Sequence, residues 1–143
     1  MGVVLDSTVW IAAERKRLTV TQTIDELRST LRDDFVVISA VSAAELIHGV
    51  WRATTHQARA QREEFVEEIL VRIPVQPVSL RIARIMGRID ATARLSGQVI
   101  PTADLISGAT ALDLGFAIAT SNVRHLRMLP NLKVIQVLQA SIV

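Results

Sequence analysis

Short apolar runs alternate with longer stretches in which apolar residues recur every three or four positions. The runs predict strands over 3–6, 35–39, 75–78, 116–120 and 134–137. Between them, Val20, Ile24, Leu27 and Leu31 lie on one helical face, and Phe65, Val66, Ile69 and Leu70 on another. Ile82, Ile85, Met86 and Ile89 form a third. Loops are short and no repeat or low-complexity segment interrupts the alternation. Strands alternating with helices predict a mostly parallel central sheet covered on both sides. The expectation is an α/β protein, one three-layer α/β/α domain over residues 1–143.

Composition narrows the picture only where it departs from the ordinary. Half the 143 residues are hydrophobic and there is no cysteine. Burial rather than cross-linking must therefore hold the core, which suits a cytoplasmic location. No apolar run approaches the roughly 20 residues that span a bilayer, and Asp6 breaks the first one, so neither a membrane anchor nor a secretion signal is expected. Aromatics make up only 3% and tyrosine is missing. That argues against a platform on which single-stranded bases stack. The formal charge is only +2, yet all 16 basic residues except Lys16 and Lys133 are arginine. Arginine's planar fork matches phosphate and carboxylate. Most of these arginines sit in solvated helix patterns. Arg59–Glu63 and Glu68–Arg72 fall at i,i+4, and Arg81, Arg84 and Arg88 form a stripe expected to face water.

Three isolated acids stand where an apolar run hands over to a helix. Asp6 closes Val3-Val4-Leu5, Glu45 follows Phe35-Val36-Val37-Ile38, and Asp104 lies in the first turn of a helix begun by Pro101. In an open α/β sheet such junctions line the crevice outside the carboxyl ends of the strands. Each acid has a mundane alternative. Asp6 could N-cap Ser7-Thr8-Val9, and Glu45 could complete a capping box begun by Ser42. Asp104 could complement the helix dipole. Taken together these leave unexplained why three junctions carry acids on one predicted edge. Three carboxylates meeting there repel by about 1–4 kcal/mol per pair at contact, and a divalent oxygen-binding cation would reverse that cost. Gly108 and Ala111 follow Asp104 on the same helical face, where small residues allow close approach to the sheet. Gly115 is placed to end that helix.

These elements resemble the PIN-domain ribonucleases, in particular the VapC-type toxins of bacterial toxin–antitoxin pairs. The likeness rests on Val4-Leu5-Asp6-Ser7-Thr8-Val9-Trp10-Ile11, on Ser42-Ala43-Ala44-Glu45-Leu46 with Gly49 following, and on Ile100-Pro101 through Asp104 to Ala109. A fourth element is Ala119-Thr120-Ser121-Asn122-Val123-Arg124-His125-Leu126. The resemblance implies an endoribonuclease that cuts RNA with Mg²⁺ or Mn²⁺ and is silenced by a cognate antitoxin. It implies Asp6 and Asp104 as metal ligands, with Glu45 binding the metal or orienting its water. Asn122 would complete the catalytic set, and Thr8, Ser121 and Arg124 would contact substrate. The fourth element departs from its relatives, which commonly place another acid there. Asn122 and His125 add no negative charge, so a second metal is not expected. Asn122 could instead cap a short helix over 123–128, and His125 reads more readily as an exposed structural histidine.

Competing assignments find less support. Asp6-Ser7-Thr8 resembles a phosphatase nucleophile motif but has Thr8 where the second aspartate belongs. Glu45-Leu46-Ile47-His48 occurs once, whereas a di-iron bundle needs two copies. No phosphate-cradling glycine loop is present. A non-catalytic PIN-like module that binds RNA or protein is the main alternative. Trp10, Ile11, Val20, Ile24 and Trp51 are candidate anchors for an antitoxin helix or a homodimer face, although core packing explains most of them as well.

Overall fold

The computed structural model describes residues 2–32 and 35–137. Five parallel strands form one sheet in the order β3-β2-β1-β4-β5. They are β1 (Gly2–Leu5), β2 (Phe35–Ser39), β3 (Val75–Gln76), β4 (Ala117–Thr120) and β5 (Val134–Gln136). All five expected strands are present, each within two residues of the pattern. The third stops early, because Pro77 cannot donate to a ladder.

Among the described residues, six α-helices connect the strands. Helices α1 (Ser7–Arg15) and α2 (Val20–Leu31) join β1 to β2, and α3 (Ala40–Trp51) and α4 (His56–Arg72) join β2 to β3. Helices α5 (Leu80–Leu95) and α6 (Thr102–Leu114) join β3 to β4. Hydroxyls start most of them. Thr19 and Gln22 form a reciprocal capping box at α2, while Ser39, Thr55 and Ser79 cap α3, α4 and α5. Gly115 ends α6 in the left-handed region at φ 69°, as its position after the apolar run predicts.

The buried strand residues divide by parity. Val3, Leu5, Ile38 and Ala119 join residues of α1 to α4, including the fully buried Trp10 and Val20. Val4, Val37 and Ile118 face the other way, against Ala111 of α6. Helix α5 packs outside α6 through Ile85, Met86 and Ile89 against Leu105. Helices thus cover both faces, as the alternation predicts. Of the proposed anchor residues, Trp10 and Val20 belong to the core and Ile24 packs against it, whereas Ile11 and Trp51 remain exposed.

Several local expectations change. Arg72 pairs with Glu68 as the spacing predicts, but Arg59 lays its guanidinium over the Trp51 ring at 5.3 Å. Arg81 does not merely face water, because it forms a 2.9 Å ion pair with Asp113 of α6. A Cβ on Gly108 would run into Leu129 and come within 3.3 Å of Leu132. Gly108 therefore makes room for the segment after β4, not for the sheet, and Ala111 alone fills the sheet-facing role.

Candidate active site

Strand β1 turns to β2 and β3 on one side, while β4 and β5 lie on the other. The order therefore reverses between β1 and β4, which is where ligands bind in open parallel sheets. Leu5 pairs with Ala119, and the Asp6 N–H donates to the Ala119 carbonyl at 2.9 Å. Asp6 and Thr120 consequently leave the sheet side by side.

Asp6 is 5% exposed and occupies the cap position of α1, yet its side chain makes no capping bond. Its Oδ2 accepts 2.8 Å hydrogen bonds from Thr8 and from the buried Thr120. The two hydroxyls lie 3.1 Å apart, and Thr8 Oγ1 also accepts from the Ser121 N–H at 3.1 Å. Bonds between hydroxyls and a carboxylate are among the stronger neutral-to-charged contacts. They aim this carboxylate instead of capping the helix.

Glu45 does not complete a capping box either. Helix α3 starts at Ala40 with Ser39 as its cap, so Glu45 falls in the second turn. Ser7 Oγ donates to Glu45 Oε1 at 3.2 Å. Partial withdrawal from water raises the Glu45 carboxyl above its ordinary value; the Ser7 bond opposes this, and the charges of Asp6 and Asp104 add to it. Asp104 is the third residue of α6, which follows α5 and not a strand, so the expected strand-to-helix handover holds for Asp6 and Glu45 only. Its carboxyl is likewise raised, first by burial and then by Asp6, with His125 opposing. His125 Nδ1 stands 3.3 Å from Asp104 Oδ2, with the two side chains 29% and 24% exposed. The expected exposed structural histidine is thus a partner of the third acid. Its place in the element where the family resemblance leads one to expect an acid was the available signal.

Asn122 and Arg124 are exposed on the rim. The Asn122 N–H donates to Thr120 Oγ1 at 3.0 Å. Asn122 caps no helix, because the turn that follows is a 3₁₀ segment over Leu126–Met128. The fold thus brings Asp6, Glu45 and Asp104 to one edge with Thr8 and Ser121, and leaves Asn122 and Arg124 beside them. Ser7 and Thr120 were not singled out in the sequence, and the partnership of His125 with Asp104 was not foreseen. Their bonds join residues 38, 114 and 21 positions apart, which no local pattern reveals.

The donor chemistry suits a hard cation. All three acids offer oxygen, and Glu45 and Asp104 are raised first by burial and then by the charges of neighbouring acids. Among the described residues, however, no three acidic or histidine side chains are arranged to hold one ion directly. A cleft of about 350 Å³ runs from Glu45 between α1 and α3, lined by Ile11, Glu14, Arg15, Arg52 and Arg62. Arg62 bridges Glu14 at 2.8 Å and the Gly49 carbonyl at 3.0 Å.

The family model for the PIN domain matches residues 3–128. Ribonuclease VapC10 of Mycobacterium tuberculosis is 36% identical over 131 residues, which cover 92% of this chain and 90% of that relative. Ribonuclease VapC of Rickettsia bellii is 24% identical over 137 residues, 96% of this chain and 97% of the relative. The fold is similar to VapBC2 from Rickettsia felis bound to a DNA fragment from their promoter, with a TM-score of 0.82 at 20% identity over 96% of this chain and 99% of that one. VapBC-5 from Mycobacterium tuberculosis, a member of the VapBC family of toxin-antitoxin systems, gives a TM-score of 0.73 at 25% identity over 96% and 100%.

Proposed function

This chain belongs to the PIN-domain family, in its VapC branch, and from that premise we propose that it is the ribonuclease toxin of a toxin–antitoxin module. It hydrolyses phosphodiester bonds of RNA with Mg²⁺ or Mn²⁺ in the cytoplasm. The single observation that carries this reading is the placement of three acids about one end of the sheet: Asp6 directly after β1, Glu45 in the second turn of the helix after β2, and Asp104 in the first turn of α6.

Asp6 and Asp104 would hold the cation, and Glu45 would orient the attacking water. When bound, the cation lowers the pKa of water and neutralises phosphate oxygens. Thr8 and Thr120 fix the Asp6 carboxylate by two hydroxyl bonds, and His125 fixes Asp104. Ser7 donates to one Glu45 oxygen, and the carboxylate would accept a proton from the attacking water. Attack at phosphorus breaks the P–O bond to the departing 3′-oxygen, leaving a 5′-phosphate and a 3′-hydroxyl. Exposed Asn122 and Arg124, with Thr8 and Ser121, would contact the strand. A cognate antitoxin would silence the enzyme. Exposed Ile11 and Trp51 are the surface residues suited to that helix or to a homodimer.

Purified protein incubated with RNA tests this directly. Cleavage is expected with Mg²⁺ or Mn²⁺, none with EDTA, and none from Asp6→Asn. RNA binding without cleavage in any metal would favour the non-catalytic alternative, which the neutral Asn122 motivates.

A further inference from the structure

Beneath the acids lies a feature that the proposed chemistry does not use. Ser39, Ser42 and Ser107 are buried, at 0%, 0% and 1% exposure, and their hydroxyls form a triangle. Ser39 Oγ is 3.1 Å from Ser42 Oγ and 2.9 Å from Ser107 Oγ, and the Ser42–Ser107 edge is 3.4 Å. Ser39 Oγ also accepts the Ser42 N–H at 3.2 Å. Each hydroxyl offers one proton, so a closed ring satisfies all three. An unpaired buried hydroxyl costs about 1–3 kcal/mol, so three are tolerated only in such an arrangement.

The place of the triangle gives it a consequence. Ser39 ends β2 and caps α3, Ser42 lies in the first turn of α3, and Ser107 is on α6. Glu45 is three residues beyond Ser42, and Asp104 three residues before Ser107. At i,i+3 spacing each acid shares a helix face with its serine, about 5–6 Å away. Among the described residues, the side-chain hydrogen bonds that join α3 or its cap to α6 all pass through Ser107. Apolar contact tolerates sliding, whereas hydrogen bonds fix both distance and direction.

We infer that the Ser39–Ser42–Ser107 triangle is a spacer that sets the separation of Glu45, which orients the metal's water, from Asp104, which holds the metal, and thereby which size of divalent cation fits between them. The three serines are positioning residues, and the inference rests on the metal-dependent reading above. The tolerance is narrow: metal–oxygen distances are about 2.0–2.1 Å for Mg²⁺ and about 2.3–2.6 Å for Ca²⁺. A helix shift of about half an ångström is comparable to the precision that such constellations need. Ser107→Val breaks the ring and adds volume between α3 and α6, Ser107→Ala breaks it without added volume, and Ser107→Thr adds a similar volume but keeps the hydroxyl, so it separates the ring from the packing.

Titrating each protein with Mg²⁺ and Ca²⁺ and reading the thermal midpoint measures cation binding without activity. Ser107→Val should raise the half-saturating Mg²⁺ concentration about 10–100-fold, the range for outer partners of metal ligands. The Ca²⁺ value should change less than about threefold, and Ser107→Thr should stay near the native protein. In Mg²⁺, kcat should fall while KM for RNA holds. Should Ser107→Val fail to fold, the same change in the Mg²⁺ to Ca²⁺ ratio is required of Ser107→Ala. Loss of stability with the ratio unchanged would overturn the spacer and leave the nuclease reading standing. A native protein whose midpoint ignores every divalent cation would overturn both.

Discussion

Replacing Asp104 with asparagine keeps the side chain's shape and removes its charge. In the metal-free protein that charge is held at a cost. Burial and then Asp6 push the carboxyl above its ordinary value of 3.8, and the His125 contact at 3.3 Å only partly compensates. One like-charge neighbour at contact costs about 1 kcal/mol in water and about 4 kcal/mol at an effective dielectric of 20. Asp104 is 24% exposed, which favours the lower part of that range, and His125 offsets some of the rest. Asp104→Asn should therefore gain about 1 kcal/mol in EDTA at neutral pH, or about 3 °C in a chain of this size. The pH dependence has a definite sign. A carboxyl raised in the folded state favours folding below its unfolded value and loses that contribution as pH rises through the folded one. The variant's advantage should thus be absent below about pH 3.8, grow as pH rises through the folded value, and level off above it. Metal inverts the order. At a hundredfold excess over Kd the native protein gains about 2.7 kcal/mol, which the variant forfeits. It should then melt about 5 °C below the native protein and cleave no RNA. Differential scanning calorimetry with EDTA and with Mg²⁺ reads both signs. A variant less stable in EDTA at pH 7.5, or one that rises with Mg²⁺ as the native protein does, would refute the electrostatic reasoning.

Thr120→Val preserves volume but removes a buried donor to Asp6 and the acceptor of the Asn122 N–H. It should cost about 2–3 kcal/mol by urea denaturation with an unchanged slope, and lower kcat more than RNA affinity. A loss below about 0.5 kcal/mol would show that Thr120 is not the support of Asp6 described here. Two glycines should respond in opposite directions to alanine. Gly87 is exposed within α5 with open space at its missing Cβ, so Gly87→Ala should stabilise by about 1 kcal/mol. Gly108→Ala gains the same helix propensity but must displace the buried Leu129, and overpacking of about 1–3 kcal/mol should leave it less stable than the native chain. Equal thermal shifts of the two would contradict that contrast.

What the sequence alone determined was periodic and local. Runs such as Val3-Val4-Leu5 and Ala117-Ile118-Ala119 are apolar throughout because strands buried on both faces need no alternation. The handover from β1 to α1 puts Asp6 at that edge, as in any parallel sheet, but Asp104 follows helix α5 and reaches the same edge because α6 runs back to β4. Hydrogen bonds between distant residues left no such trace, and there the tertiary structure decided. It moved the start of α3 from Ser42 to Ser39, since both serines are plausible caps and only the sheet's end fixes where β2 stops. It set His125 against Asp104 and turned Gly108 toward Leu129. It also gathered Ser39, Ser42 and Ser107, up to 68 positions apart, into one buried ring. A serine's role is unreadable along the chain because its hydroxyl is small and serves caps, turns and networks equally well. Only the neighbours supplied by folding choose among them.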